Sequence, residues 1–157
     1  MLIEAEDDDF AALVAGIAPR GLMLAAGGIE DAETLTMLRS LAGSIRAGFR
    51  PAAWLIVEQD TVIGLCSPIA APGPAGALDI GYGVAASWRR LGAARRAVAD
   101  VVDWARADPR IQAVTAATAT GNIASQRVLV ANSFARTGMA HDDDHGELIC
   151  WRIDVTA

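Results

Sequence analysis

Arg89-Arg90-Leu91-Gly92-Ala93-Ala94 stands between a short apolar stretch, Leu78–Val84, and a run with helical spacing. The first N–H groups of a helix have no internal partner and carry the positive end of its dipole. Gly92 and Ala94 keep bulky side chains away from that end, so an anion can approach the backbone, and Arg89 and Arg90 add charge at the rim. The chemistry implied is the binding of a phosphorylated ligand. Upstream, alternation sets Asp79 on the face of Gly81 and Gly83, opposite Leu78, Ile80 and Tyr82. That face has almost no side chains, so a ligand can lie against the strand. An acid there takes a proton from an amine, holds a cationic substrate, or is a solvated edge residue, and alternation does not choose among these. Glu58 is a second, weaker acid candidate on a strand. His141-Asp142-Asp143-Asp144-His145 has metal-ligand residue types but no further convergent ligand, so we read it as an exposed acidic turn and expect no metal.

The elements that must position these groups follow from periodicity. Leu91, Ala94, Val98, Val101, Val102 and Ala105 form one helical stripe, with Trp104 at its flank and Arg95, Arg96, Asp100 and Asp103 mostly off it. Residues 1–6 read as a first strand. Asp7 to Asp9 cap a helix with Phe10, Leu13, Val14 and Ile17 on one face, and Pro19 to Gly28 is a loop or broken helix. Asp31 to Ala47 is a second helix with Leu35, Leu38, Leu41, Ala42 and Ile45 at core spacing. Trp54–Glu58 and Thr61–Cys66 make a hairpin around Gln59–Asp60, and a Pro/Gly loop, Ser67 to Ala77, feeds the central strand. Ile111–Thr118 is a strand after Pro109. Asn122 caps a helix through Val130, closed by Asn132 in a left-handed conformation. Ala135–Ala140 and Glu147–Val155 are the last strands. This order predicts an α/β fold with a mixed sheet.

Composition narrows the function classes. The 157 residues suit one domain, 1–157, and 53% hydrophobic content favours a folded one. Net charge is −6 and all 13 basic residues are arginine, which argues against general nucleic-acid binding and favours amines and other cations. Without lysine there is no lysine-dependent phosphate loop or Schiff base. No apolar run spans a bilayer and the start, MLIEAEDDDF, is acidic where a secretory signal is basic, so a cytoplasmic protein without membrane partner is expected. Cys66 and Cys150 read as core residues.

Arg89-Arg90-Leu91-Gly92-Ala93-Ala94 resembles the R/Q-x-x-G-x-G/A pyrophosphate loop of the GNAT superfamily of N-acetyltransferases, with Val84 where a hydrophobic residue closes the preceding strand. The family often has Pro, Gly and a basic residue where this chain has Ala86, Arg90 and Leu91. Two further segments resemble the branch typified by ribosomal-protein N-terminal acetyltransferases. They are Asp79-Ile80-Gly81-Tyr82 and Asn122-Ile123-Ala124-Ser125 with Val128-Leu129 and Asn132-Ser133-Phe134, in which Ser133 replaces the usual Gly. The resemblance implies a GNAT fold, with a mostly antiparallel sheet of six to seven strands and about four helices. It implies acetyl-CoA as cosubstrate, held by Tyr82, Gly83, Val84, Arg89, Arg90, Leu91, Gly92, Ala93, Ala94, Asn122 and Ser125. The acceptor implied is a primary amine on a small molecule or protein N-terminus, and a homodimer is an open partner state. Asp79, Ser125 and Tyr82 are the catalytic candidates. Leu129 stands where the family often has a tyrosine acid, which leaves Ser125 and the single tyrosine, Tyr82, to handle the thiolate.

Two rivals remain at this point. The missing tyrosine and altered loop suit a non-catalytic acyl-CoA sensor of the same fold. Gly81-Tyr82-Gly83-Val84-Ala85-Ala86 fits a dinucleotide fingerprint, but a hairpin precedes it and Asp100 and Asp103 fall in a helix.

Overall fold

The apolar runs pair into one mixed sheet in the computed structural model, which describes residues 1–156. Its strands are β1 (Leu2–Glu4), β2 (Met23–Leu24), β3 (Trp54–Glu58), β4 (Thr61–Pro68), β5 (Ala77–Val84), β6 (Ala113–Ala119), β7 (Ala135–Asp142) and β8 (Gly146–Asp154). The helices are α1 (Asp7–Val14), α2 (Ala32–Arg46), α3 (Ala93–Ala107) and α4 (Ile123–Ala131). Strand order is β1-β3-β4-β5-β6-β8-β7, with the two-residue β2 lying against β4. Among the described residues, only the β5–β6 and β2–β4 pairs are parallel. This is the α/β arrangement expected from the sequence, with β2 added inside the segment 19–28. No helix among the described residues is long and apolar enough to cross a membrane.

Local chemistry explains the boundaries. Gln59 and Asp60 both have positive φ (52° and 58°), the backbone of a tight hairpin turn whose twist matches its strands. Asp31 caps α2 by accepting from Thr34 N–H at 2.7 Å. At α1 the cap position is Glu6, and Asp9 accepts the Glu6 N–H from inside the first turn at 2.7 Å. That helix ends at Val14, so Ile17 is 60% exposed and not on its core face.

Two expectations are corrected. α3 starts at Ala93, after Gly92 in a left-handed conformation (φ 77°), so Leu91 lies in the loop, 57% exposed, and off the apolar stripe. Ala93 and Ala97 join Val98, Val101, Val102 and Ala105 on the buried face instead. Each buried valine there contributes roughly 1.5 kcal/mol or more of transfer free energy. Asn132 is not left-handed (φ −99°); the left-handed residue is Ser133 (φ 68°). The Asn132 amide donates to Val128 O and Arg95 O, which holds that residue against the end of α4 and moves the reversal one position on.

Register defines the two faces. Trp54, Cys66 and Tyr82 are cross-strand partners on β3, β4 and β5, and Trp54 meets Trp104 of α3 edge-on at 5.1 Å between ring centroids. Tyr82 therefore points to the α3 side. Leu65, Ser67, Gly81 and Gly83 belong to the opposite face, which α2 covers through Leu38.

Candidate active site

The parallel pairing of β5 and β6 runs only from Ala77–Ala113 to Ile80–Ala116. Beyond it, Gly81–Val84 pair with β4 alone and Ala117–Ala119 with β8 alone. The strands thus part at their C-terminal ends and open a cleft in mid-sheet, edged by backbone that no neighbouring strand uses. Such an edge accepts an extended, amide-bearing chain. On the other side of this edge strand, β4 packs close because position 64 is glycine: a Cβ there would lie 2.2 Å from the Gly83 carbonyl oxygen.

The phosphate-loop candidates lie at the head of α3. Arg90 (φ 64°) and Gly92 (φ 77°) both take left-handed backbone, which turns the loop back on the helix. The N–H groups of Gly92, Ala93, Ala94 and Arg95 find no acceptor among the described residues, while Arg96 N–H closes the first helical bond to Gly92 O at 3.0 Å. Arg89, Arg90 and Arg95 are exposed around them. This is a cradle of donors and positive charge that suits a pyrophosphate. Its support was not visible in the sequence. Glu58 on β3 grips Arg96 with two bonds of 3.0 Å, and the same guanidinium donates to Leu91 O at 2.9 Å. Both Glu58 carboxylate oxygens are thereby occupied by Arg96. A Cβ on Gly92 would lie 2.8 Å from Arg96 Nη1, so both the φ and the lock require glycine there.

Tyr82 and Ser125, 43 residues apart, meet across the cleft with their hydroxyl oxygens 2.7 Å apart. Asn122 Oδ1 accepts the Ser125 N–H at 3.1 Å, the cap expected for α4, and so fixes the serine backbone. Burial pushes the Tyr82 phenol above its ordinary value, an effect the Ser125 hydrogen bond partly offsets, and it stays protonated at neutral pH. Leu129 is fully buried in the core. Asp79 lies one pair before the strands part, half-buried, and Thr115 Oγ1 donates to its Oδ1 at 3.0 Å. The face beyond it is less bare than alternation suggests, since Ile69 Cδ1 lies 3.3 Å from where a Gly81 Cβ would be; only Gly83 is open.

On that face a pocket of about 180 Å³ is bounded by Leu38 of α2, Leu65, Ser67 and Ile69, the strand Gly81–Gly83, and Ile29 and Glu30 ahead of α2. Glu30 and Ser67 carry no motif and were missed; only the fold sets the loop before α2 over the glycine strand. The acidic turn 141–145 closes the β7–β8 hairpin through Asp142, which accepts N–H bonds from Asp144 and His145 at 2.7 and 3.1 Å. No group of three or more metal-ligating side chains occurs among the described residues.

A family model described as acetyltransferase (GNAT) domain matches residues 1–135. No curated protein matches the sequence. Among solved structures, the ribosomal L7/L12 alpha-N-protein acetyltransferase in complex with coenzyme A is similar at TM-score 0.71 and 21% identity, over 98% of this chain and 93% of that one. A spermidine N-acetyltransferase mutant from Vibrio cholerae aligns at 0.72 and 15%, over 99% and 95%. Mycobacterium smegmatis RimJ, in complex with a CoA-disulfide, aligns at 0.70 and 21%, over 98% and 80%. At these identities the structures speak for the fold alone.

Proposed function

The chain belongs to the GNAT acetyltransferase family, and we propose that it moves an acetyl group from acetyl-CoA to a primary amine by direct transfer in a ternary complex. The observation that carries this reading is the parted β5–β6 edge, with the open N–H groups of α3 and the Tyr82–Ser125 pair around it. On this reading the backbone from Arg89 to Ala94 holds the pyrophosphate, and Tyr82, Gly83 and Val84 pair with the pantetheine arm. Asn122 and Ser125 flank the sulfur. Residues 1–157 act as one cytoplasmic domain.

The amine nitrogen attacks the thioester carbonyl carbon; a C–N bond forms, the C–S bond breaks, and the electron pair leaves on sulfur. Asp79 takes the proton that turns the ammonium into the attacking amine, directly or through water, and the nitrogen sheds its second proton to solvent as the amide forms. Tyr82, held by Ser125, donates a hydrogen bond and then a proton to the departing thiolate and is reprotonated from solvent. The net change is ammonium plus acetyl-CoA to amide plus CoA thiol plus one proton.

Thermal shift with acetyl-CoA, CoA and NAD, followed by thiol release with a panel of amines, tests the proposal. At ligand 100-fold above Kd, CoA compounds should add about 2.7 kcal/mol of apparent stability and NAD none. Thiol release should require an amine. CoA binding without amine-dependent release would instead identify an acyl-CoA-binding module.

A further inference from the structure

The pocket on the α2 face of β4 and β5 has a composition that selects among amines. Its walls are aliphatic, made by Ile29, Leu38, Leu65 and Ile69, and Glu30 is its single charged side chain. Ser67 is 6% exposed, yet its hydroxyl makes no hydrogen bond among the described residues. It is not sealed off either, since the one sealed side-chain polar atom without a partner among those residues is Arg46 Nε. An oxygen that opens on a pocket with no protein partner is free to accept from, or donate to, a ligand group. The floor is Gly81–Gly83 of β5, the strand that borders the cleft from its other face.

We infer that this pocket takes the acceptor and fits an aliphatic monoamine: one amine on an apolar body about the size of a single residue, free or as the first residue of a peptide. The inference rests on the acetyl-transfer reading above. At about 180 Å³ the pocket holds the volume of roughly six liquid waters, below the ~300–1,000 Å³ that encloses a drug-sized ligand. A single carboxylate attracts one cation and repels acidic acceptors. The aliphatic walls give a second ammonium group nothing to pair with, and burying it unpaired is unfavourable. Polyamines are therefore disfavoured by the same residues that admit a monoamine. Ser67 accepts from the amine N–H or donates to a carbonyl next to it, and Glu30 holds the ammonium as it enters.

Thiol release at saturating acetyl-CoA reads the selectivity with isoamylamine, the peptide Leu-Gly-Gly, spermidine and glutamate as acceptors. Isoamylamine or Leu-Gly-Gly should exceed spermidine and glutamate in kcat/KM by roughly tenfold or more, the worth of one charged contact. Whichever of the first two has the lower KM identifies the source, free amine or peptide N-terminus. Glu30→Gln, at an exposed position, should raise the KM of the better acceptor roughly tenfold while kcat and the acetyl-CoA KM hold. Ser67→Ala should raise the same KM by a smaller factor. A preference for spermidine, or an unchanged acceptor KM in both variants, overturns the assignment while the CoA thermal shift persists. Loss of that shift in the unaltered protein overturns the acetyl-transfer reading itself, and the pocket assignment with it.

Discussion

Tyr82 and Ser125 share a hydroxyl–hydroxyl hydrogen bond of 2.7 Å, and the phenol also reaches the Ser125 carbonyl at 3.4 Å, so the effects of their removal should not add. Tyr82→Phe should lower kcat about 10²-fold, within the range of a positioned proton donor, and Ser125→Ala should lower it less. The double variant should be no slower than Tyr82→Phe, and a double-mutant cycle on kcat checks this. Because burial raises the phenol, the donor stays protonated up to its ordinary value near 10, and no alkaline loss of kcat from this group should occur below that pH. Asp79→Asn keeps the shape and the Thr115 contact but removes the base. We expect kcat to fall about 10²-fold with partial recovery at high pH, where free amine accumulates. A raised acceptor KM with intact kcat would reassign Asp79 to substrate binding.

At the scale of elements, the loop before α3 is held by an arginine that touches no ligand in this reading. Arg96 joins β3 to the loop through Glu58 and Leu91 O. Arg96→Ala should cost about 1 kcal/mol of stability, since Arg96 is half exposed although Glu58 is mostly covered, yet raise the acetyl-CoA KM several-fold. S-acetylpantetheine, which lacks the pyrophosphate, separates the two effects, and its KM should not move. Gly92→Val should do more. Left-handed backbone costs a side-chain-bearing residue about 1–2 kcal/mol, and the new Cβ meets Arg96 Nη1 at 2.8 Å. Urea unfolding should register that loss, and calorimetry should find acetyl-CoA binding weakened at least tenfold.

At the scale of the molecule, Asp9 ties the start of the sheet to α1 and the loop after it. Arg20 donates to both Asp9 oxygens, at 2.9 and 2.7 Å, and to Glu4 O at 2.7 Å. Burial raises the Asp9 carboxyl, but the Arg20 bonds and the Glu6 N–H outweigh it and hold the group below its ordinary 3.8. A lowered folded value means the contribution is complete above 3.8 and is lost as pH falls through the folded value. Stability should therefore stay level from pH 7 to about 5 as far as this group decides it, then decline below about 4. Asp9→Asn should remove about 2 kcal/mol at pH 7, with the gap to the unaltered protein closing in acid, as chemical unfolding across pH will measure.

Periodicity and turn chemistry were enough to order the elements, because each helix and strand buries a face whose spacing is written locally. The Gln59–Asp60 turn, the Asn122 cap and the α3 stripe from Val98 onward are all of this kind. The glycine at position 92 was legible as room for an anion at the helix start, while its left-handed backbone and its contact with Arg96 emerged only in the structure. Boundaries slipped where a distant group intervened: Leu91 left the helix because Arg96 and Glu58 hold the loop, and Ser133 took the reversal because Asn132 reaches Arg95. The site itself depended on tertiary structure. A hydrogen bond between Tyr82 and Ser125, a grip of Glu58 on Arg96, and a pocket joining Glu30 to Ser67 each link residues more than 35 positions apart. No spacing rule reaches that far, because such contacts exist only once β5 and β6 have paired, parted and been covered on both faces.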